Sequence, residues 1–295
     1  NPEQEAVRYI LRLMEAPGAR DMVHLFRGKL WLAGLTVEDK SPLVGKRIAD
    51  IPKPKEEAAF LIAAIARWNR LMIPKGNDTI ASRDILYVLT LPSKIKDVYH
   101  VFSKEFRETR RVIIYGGGNI GLSLAKALEK KRISVKIIEK NEERCAHLAE
   151  ILDKTVVIHG SGADEELLKE EGVEDVDEFI AVSSDEEANV LVSLLTKQMG
   201  ARRVMTVINK LAYFKLVQAI GIDVIVSPRL AAVGSILQYL RRGKVLSVTP
   251  VREEEAEVIE AIALETSDLI NRPLRDINFP DGSIVGAVWN NEQVI

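Results

Sequence analysis

The sequence predicts an α/β protein: a doubly wound parallel sheet flanked by small α+β modules. Three observations predict it. Short β-branched segments alternate with helical patterns of about 10 to 15 residues between positions 110 and 242. A glycine-rich turn joins the first of these segments to its helix. Segments near the start of the chain recur near its end.

The central region contains six predicted strands. They cover residues 111–115, 133–139, 155–159, 178–183, 203–208 and 223–226. Because helical patterns separate them, neighbouring strands must be joined by crossovers, which favours parallel pairing in a doubly wound sheet. The flanking regions have short alternating strands and few long helices, so we interpret them as small α+β units.

The recurring segments indicate a tandem duplication. Four stretches match in order, namely 1–11 with 227–237, 27–30 with 242–245, 41–51 with 267–277, and 62–73 with 284–295. The first copy continues past Ile73, whereas the second stops at Ile295. We therefore expect the chain to lack the front of copy one and the back of copy two.

Composition excludes several classes of protein. The 295 residues include 41 Lys and Arg against 43 Asp and Glu, which argues against nucleic-acid binding that depends on an overall positive charge. A single cysteine, Cys145, excludes an intrachain disulfide and fits a reducing cytosol. The longest apolar run, 58–66, is too short to span a bilayer. The four histidines have no metal-ligand spacing, so we expect no metal site.

The glycine-rich turn has the G-x-G-x-x-G spacing of a dinucleotide-binding, Rossmann-like domain. Gly116 permits the tight turn, Gly118 lets backbone N–H groups approach a pyrophosphate, and Gly121 allows the helix to pack on the sheet. Asn119 and Ile120 belong to the first helical turn, whose free N–H groups and partial positive charge favour phosphate. An ordinary strand-to-helix turn is the alternative.

A carboxylate follows at the distance expected for ribose recognition. Glu139 ends the next predicted strand, 18 residues after Gly121, and can accept hydrogen bonds from both ribose hydroxyls. It would repel a 2′-phosphate, which favours NAD or another unphosphorylated adenosine over NADP, although Lys140 beside it weakens that preference.

Other loops at the same sheet edge are candidates by position, because ligands of such sheets lie beyond the carboxyl ends of the strands. Gly160 and Ser161 follow the third strand, and Ser183 and Ser184 follow the fourth. Ser184 with Glu187 also has the spacing of a helix capping box, which competes with a ligand role. Lys210, after the fifth strand, is within reach of a phosphate or simply solvated.

These motifs resemble those of the TrkA family, within the wider KTN or RCK group of regulatory proteins of potassium transport. The resemblance is carried by residues 115–125, 138–140, 160–168 and 185–189, and the duplicated plan is also similar. It implies that residues 1–18 are the last helix of a missing nucleotide-binding domain. Residues 19–108 would be a first TrkA_C-like module, 109–243 a TrkA_N-like domain, and 244–295 a truncated second TrkA_C-like module.

The resemblance also implies a function. A cytosolic regulatory subunit would bind NAD+ or NADH, with ATP or ADP as alternatives, and gate a membrane-embedded Trk-type potassium channel by changing shape. The same resemblance implies a homo-oligomer, a dimer or a tetramer-like gating ring, at the inner face of the plasma membrane. No nucleic-acid partner and no catalytic residue are expected.

Two other functions stay open at this point. An NAD-dependent oxidoreductase would use the same sheet, but no tyrosine is followed by lysine four positions later, and only His159 lies near the expected cleft. A redox-sensing transcription factor would need a DNA-reading helix, and the remaining modules contain no sequence typical of one.

Overall fold

The computed structural model describes residues 1–51, 60–68, 70–233, 244–251, 255–290 and 293–294. The chain divides into two compact units. The parallel-sheet unit comprises residues 1–18 and 108–232, and the antiparallel unit comprises residues 19–107 and 233–295.

The helices and strands of the described residues are numbered here in chain order. The helices are α1 (Pro2–Glu15), α2 (Ile95–Val101), α3 (Asn119–Glu129), α4 (Glu142–Ile151), α5 (Glu165–Glu170), α6 (Glu186–Gln198) and α7 (Phe214–Ala219). The strands are β1 (Ala19–Leu25), β2 (Leu30–Thr36), β3 (Phe60–Arg67), β4 (Arg70–Met72), β5 (Ile85–Thr90), β6 (Arg111–Tyr115), β7 (Ser134–Glu139), β8 (Val156–His159), β9 (Glu178–Ala181), β10 (Arg203–Val207), β11 (Val224–Val226), β12 (Val245–Val251), β13 (Ala256–Ala261), β14 (Trp289–Asn290) and β15 (Gln293–Val294).

The parallel sheet confirms the predicted fold class. Its strand order is β11-β10-β9-β6-β7-β8, and every neighbouring pair is parallel. The chain winds outward from β6 to β8 and then returns to place β9 beside β6. The strand order therefore reverses between β6 and β9, which is where ligands of doubly wound sheets bind.

The central strands are mostly apolar because both faces of the sheet are covered. Every residue of β9 and β10 is buried, as are residues 112–115 of β6. The fourth strand ends earlier than predicted. Val182 N still donates to Tyr115 O, at 2.8 Å, but Ser183 turns away to bond with Asn189.

Helix α1 belongs to the parallel-sheet unit. The Asn1 side chain accepts the Glu3 N–H at 3.0 Å, and Pro2 occupies the first turn, so the predicted amphipathic helix starts where a cap and a proline favour it. Its apolar face is buried, and it contacts α3 and β11. Its descent from a missing domain stays a prediction.

A buried ion pair anchors the end of α1. Arg203 Nη1 lies 3.2 Å from both Leu13 O and Glu178 Oε1, and the two charged side chains are 5% and 2% exposed. Burial raises the pKa of Glu178, and the opposing effect of Arg203 is smaller. Removing either partner would leave a buried charge uncompensated.

The antiparallel unit contains a five-stranded sheet of order β1-β2-β5-β3-β4 and, among its described residues, two separate two-stranded antiparallel sheets, β12-β13 and β14-β15. Val251, in the stretch predicted as a second module, joins a core that includes Leu32, Tyr87 and Leu89 of the first. A hydrogen bond also joins the two stretches: Phe26 N donates to a Glu260 carboxylate oxygen at 3.1 Å.

Candidate functional site

The glycine-rich loop between β6 and α3 has a geometry that only glycines satisfy. Gly116 has φ +105°, and a Cβ there would lie 2.7 Å from the Ser183 backbone. A Cβ on Gly121 would lie 2.0 Å from Gly116 O. Both glycines therefore serve close packing, between two loops and between helix and loop respectively.

Gly118 differs, because a Cβ at this position would meet no heavy atom of the described residues within 4 Å. The first hydrogen bond of α3 runs from Leu122 N to Gly118 O. In the described part of the chain, the N–H groups of Gly118, Asn119 and Ile120 have no acceptor, and no side chain caps the turn. Free donors at a helix start favour an anion.

Asn119 and Ile120 contribute differently to this turn. The Asn119 amide nitrogen donates to Glu3 Oε2 of α1 at 3.2 Å, so its side chain is already engaged. Ile120 points into the core and is 9% exposed. Both residues therefore offer a ligand their backbone N–H groups.

Glu139 lies against the loop. Its Oε2 accepts the Gly117 N–H at 2.7 Å, and its Oε1 accepts the Asn141 N–H at 2.9 Å. Each carboxylate oxygen can accept a second hydrogen bond, so the side chain remains able to bind hydroxyl groups. Glu139 therefore organises the loop as well as offering acceptors beside it. Lys140, the next residue, has an exposed side chain.

Sequence reasoning missed Arg144, which contacts the same loop. Its Nε donates to Gly117 O at 2.7 Å. Asn141 caps helix α4 by accepting the Arg144 N–H at 2.7 Å, so α4 starts where Arg144 can reach back. The sequence offers one signal for Arg144, its position in the first turn of the helix that follows Glu139.

The loop after β8 lies beside Glu139 at the carboxyl edge of the parallel sheet. Gly160 N donates to Glu139 O at 2.9 Å, and a Cβ on Gly160 would lie 2.4 Å from Leu167. Ser161 Oγ accepts the Ala163 N–H at 3.2 Å, which forms a local turn. The structure therefore brings Gly160 next to Glu139 and uses Ser161 within its own loop.

The loop after β9 is held by a residue not selected from sequence. Asn189 is fully buried and uses its whole amide: Oδ1 accepts from Ser183 N at 3.0 Å and Oγ at 2.7 Å, while Nδ2 donates to Ser183 O and Val207 O at 3.0 and 3.1 Å. This holds Ser183 against Gly116. Ser183 is thus engaged in structure.

The predicted capping box at Ser184 and Glu187 is wrong. Asp185 caps α6 instead, accepting the Ala188 N–H at 2.9 Å, and Ser184 is exposed. The helix starts one residue later than the predicted cap requires, and a carboxylate is the stronger acceptor there.

Lys210 pairs with a neighbouring acid. Its Nζ lies 2.6 Å from Glu187 Oε1, and this hydrogen bond raises the lysine pKa and lowers that of Glu187. Its backbone N–H donates to Glu186 Oε2 at 3.2 Å. The lysine charge is therefore balanced by the first turn of α6.

Tyr115 contacts the loops that follow β8 and β9. Burial raises the pKa of its hydroxyl, Asp185 and Glu139 add to the effect, and a hydrogen bond with Ser183 opposes it. A Cβ on Gly162 would lie 2.6 Å from the Tyr115 ring, so that loop packs directly on the aromatic side chain.

The described residues contain no group of three or more His, Cys, Asp or Glu side chains placed to hold a metal ion. None of their helices combines the length and the apolar character that crossing a membrane would need. The edge instead combines free N–H donors, open space at Gly118 and a carboxylate. Together these can bind an anionic group joined to a hydroxyl-bearing one.

Two family profiles match the chain. One, described as the TrkA-N domain, matches residues 112–228, and the other, described as the TrkA-C domain, matches residues 32–103. The "Trk system potassium uptake protein TrkA" of Halomonas elongata is 40% identical over 298 residues, covering 100% of this chain and 65% of that protein. The "Trk system potassium uptake protein trkA homolog 1" of Methanosarcina mazei is 33% identical over 283 residues, covering 96% of this chain and 69% of the relative.

Solved structures share the fold. The structure described as "GsuK channel bound to NAD" matches with a TM-score of 0.54 and 21% identity, covering 79% of this chain and 42% of that one. The "GsuK RCK domain" matches with a TM-score of 0.53 and 20% identity, covering 79% and 50%.

Proposed function

The chain belongs to the TrkA family, and from this premise we propose that it is a cytosolic regulatory subunit of a potassium uptake system. It binds a nucleotide and gates a membrane-embedded Trk-type potassium channel by changing conformation. The chain spans 65% of the Halomonas elongata relative, so the activity and partners of the whole protein are part of the proposal.

The ligand we propose is NAD+ or NADH, with ATP or ADP as the alternative. All four carry a diphosphate joined to an adenosine ribose. The Gly118, Asn119 and Ile120 N–H groups would hold the diphosphate, and Glu139 would accept from the ribose hydroxyls. The NAD-bound description of the GsuK channel supports this choice of ligand class.

The nucleotide acts as an effector, and this chain carries out no reaction on it. Its binding shifts a conformational equilibrium only by its difference in affinity for the two states. A coupling of roughly 1–3 kcal/mol gives a 5- to 150-fold effect. We further propose that the protein assembles as a homo-oligomer, a dimer or a tetramer-like ring, at the cytoplasmic face of the plasma membrane beside its channel.

The observation that carries the proposal is the open space at Gly118 beside helix N–H groups that have no acceptor among the described residues. Calorimetry on the full chain with NAD+, NADH, ATP, ADP and AMP tests it. We expect saturable binding of at least one diphosphate-containing nucleotide, and constant NADH absorbance over a substrate panel. Failure of every nucleotide to bind would refute the proposal, and NADH consumption would favour an oxidoreductase.

A further inference from the structure

The two peptides that meet at Gly117 are each held by a side chain from outside the loop. Glu139 Oε2 accepts the Gly117 N–H and Arg144 Nε donates to the Gly117 carbonyl oxygen, each at 2.7 Å. The two contacts act on opposite ends of the same residue. Leu148 packs close to this residue, since a Cβ on Gly117 would lie 2.4 Å from Leu148 Cδ1, which favours glycine at the position.

The local backbone does not by itself fix the Gly117–Gly118 peptide. Glycine adopts both signs of φ readily, so a peptide between Gly117 and Gly118 can rotate with little steric resistance. Its orientation therefore depends on the groups that bond to it. The carbonyl has one side-chain partner among the described residues, the Arg144 guanidinium.

Peptide geometry then links Arg144 to the proposed phosphate site. The described chain contains no cis peptide, so the Gly117 C=O and the Gly118 N–H point in opposite directions from one rigid plane. Holding the carbonyl toward α4 turns the Gly118 N–H away from α4. That N–H has no acceptor among the described residues, and the space at Gly118 is open.

Arg144 is itself held in place. Its backbone N–H donates to Asn141 Oδ1, and the Asn141 N–H donates to Glu139 Oε1. Glu139, Asn141 and Arg144 are thus connected through hydrogen bonds, and both charged members contact Gly117. These contacts come from the chain itself and restrict the orientation of the loop, which lowers the entropic cost of ordering it when a ligand binds.

We infer that Arg144 is a positioning residue for diphosphate recognition, which acts through the Gly117–Gly118 peptide by presenting the Gly118 N–H to the ligand. The inference rests on the proposed function and assigns a role to a residue outside the glycine motif. It differs from direct ion pairing between the guanidinium and a phosphate, because the Nε–H is engaged with backbone.

The test compares Arg144→Met with Arg132→Met, a matched loss of charge. Arg132 is exposed and precedes β7, at the opposite end of that strand from Glu139. Calorimetry with ADP on the full chain should show an affinity loss of about tenfold or more for Arg144→Met, the range for a hydrogen bond to a charged group. Arg132→Met should stay within about twofold of wild type.

A second readout separates positioning from other roles. The full chain is labelled with 15N-glycine and titrated with ADP, and the Gly118 amide signal is identified by its absence in Gly118→Ala. We expect ADP to shift that signal downfield in the wild type and in Arg132→Met. At saturating ADP, the shift should be lost in Arg144→Met and in Arg144→Lys, which keeps the charge without the planar Nε–H.

The outcomes are distinct. A retained Gly118 shift in saturated Arg144→Met, or full recovery of affinity by Arg144→Lys, would overturn the inference in favour of a structural or direct ionic role. A loss of affinity that disappears at high salt would likewise indicate direct pairing with phosphate. If the wild type binds neither ADP, NAD+ nor another nucleotide, the proposed function fails. If the wild type binds ADP but the Arg144 variants behave as described above, only the inference about Arg144 fails.

Discussion

Replacing Gly118 with alanine should weaken nucleotide binding without harming the fold. The residue has φ −65° and ψ −164°, an extended conformation that alanine adopts readily, and the new methyl group would meet no heavy atom within 4 Å. Gly-to-Ala changes at compatible positions stabilise by about 0.4–1 kcal/mol, mainly by restricting the unfolded chain. We therefore expect urea denaturation to show unchanged or slightly increased stability.

Binding should respond in the opposite direction. In the proposed complex a phosphate approaches the Gly118 N–H through the space that the methyl group fills, and such steric conflict costs about 1–3 kcal/mol. A cost of about 1.4 kcal/mol, which lies within that range, already lowers the affinity about tenfold. Calorimetry with ADP and NAD+ measures it. Gly118→Asp, which adds a negative charge at the same place, should bind neither ligand detectably.

Gly121→Ala is the control that fails by another route. Its Cβ would lie 2.0 Å from Gly116 O, 1 Å closer than the 3.0 Å that real Cβ contacts essentially never fall below. Helix α3 would have to shift, so we expect a loss of stability of about 3 kcal/mol, with binding lost as a consequence. Wild-type affinity in Gly118→Ala would refute the proposed phosphate position, and wild-type stability in Gly121→Ala would refute the packing argument.

Three further predictions concern other parts of the chain. Glu139→Ala should weaken NAD+ and ATP binding alike in calorimetry, because both ligands present ribose hydroxyls; an effect on one alone would mean that the acid recognises another group. Burial chiefly raises the pKa of the Cys145 thiol, so less thiolate is present at a given pH than for an exposed cysteine. Its reaction with a thiol reagent should be slow at pH 7 and accelerate as the pH rises toward the raised pKa; rapid labelling at pH 7 would contradict this. Arg67→Met removes two hydrogen bonds of 2.7 and 2.8 Å from Asp84, which is 1% exposed, and should cost about 3 kcal/mol in urea unfolding, whereas a loss below about 1 kcal/mol would show that Asp84 is otherwise compensated.

The parallel sheet was predictable because its strands are buried on both faces. Such strands are mostly apolar in sequence, and β9 and β10 are buried at every position. The errors lie at the ends. The fourth strand was extended to Ser183 by its apolar run, but the Asn189 amide competes for the Ser183 backbone and ends the strand at Ala181.

The site was predictable where a residue type is itself the requirement. A turn that needs positive φ, or a contact too close for a Cβ, selects glycine, so Gly116 and Gly121 were identifiable from spacing alone. Hydrogen-bond partners are different. Ser184 and Asp185 are both good helix caps, and one residue of backbone path decides between them.

Long-range contacts explain the remaining omissions. Gly116 needs to be glycine because the Ser183 backbone passes within 2.7 Å of its would-be Cβ, and Asn189 keeps that backbone in place. Arg144 likewise acts on Gly117 across 27 positions of sequence. No periodicity marks either side chain, because a helical pattern predicts that a residue lies on a helix without stating which backbone atom it reaches. A sequence can therefore identify the loop that a ligand needs, whereas the side chains that hold the loop in shape emerge only when the strands are in place.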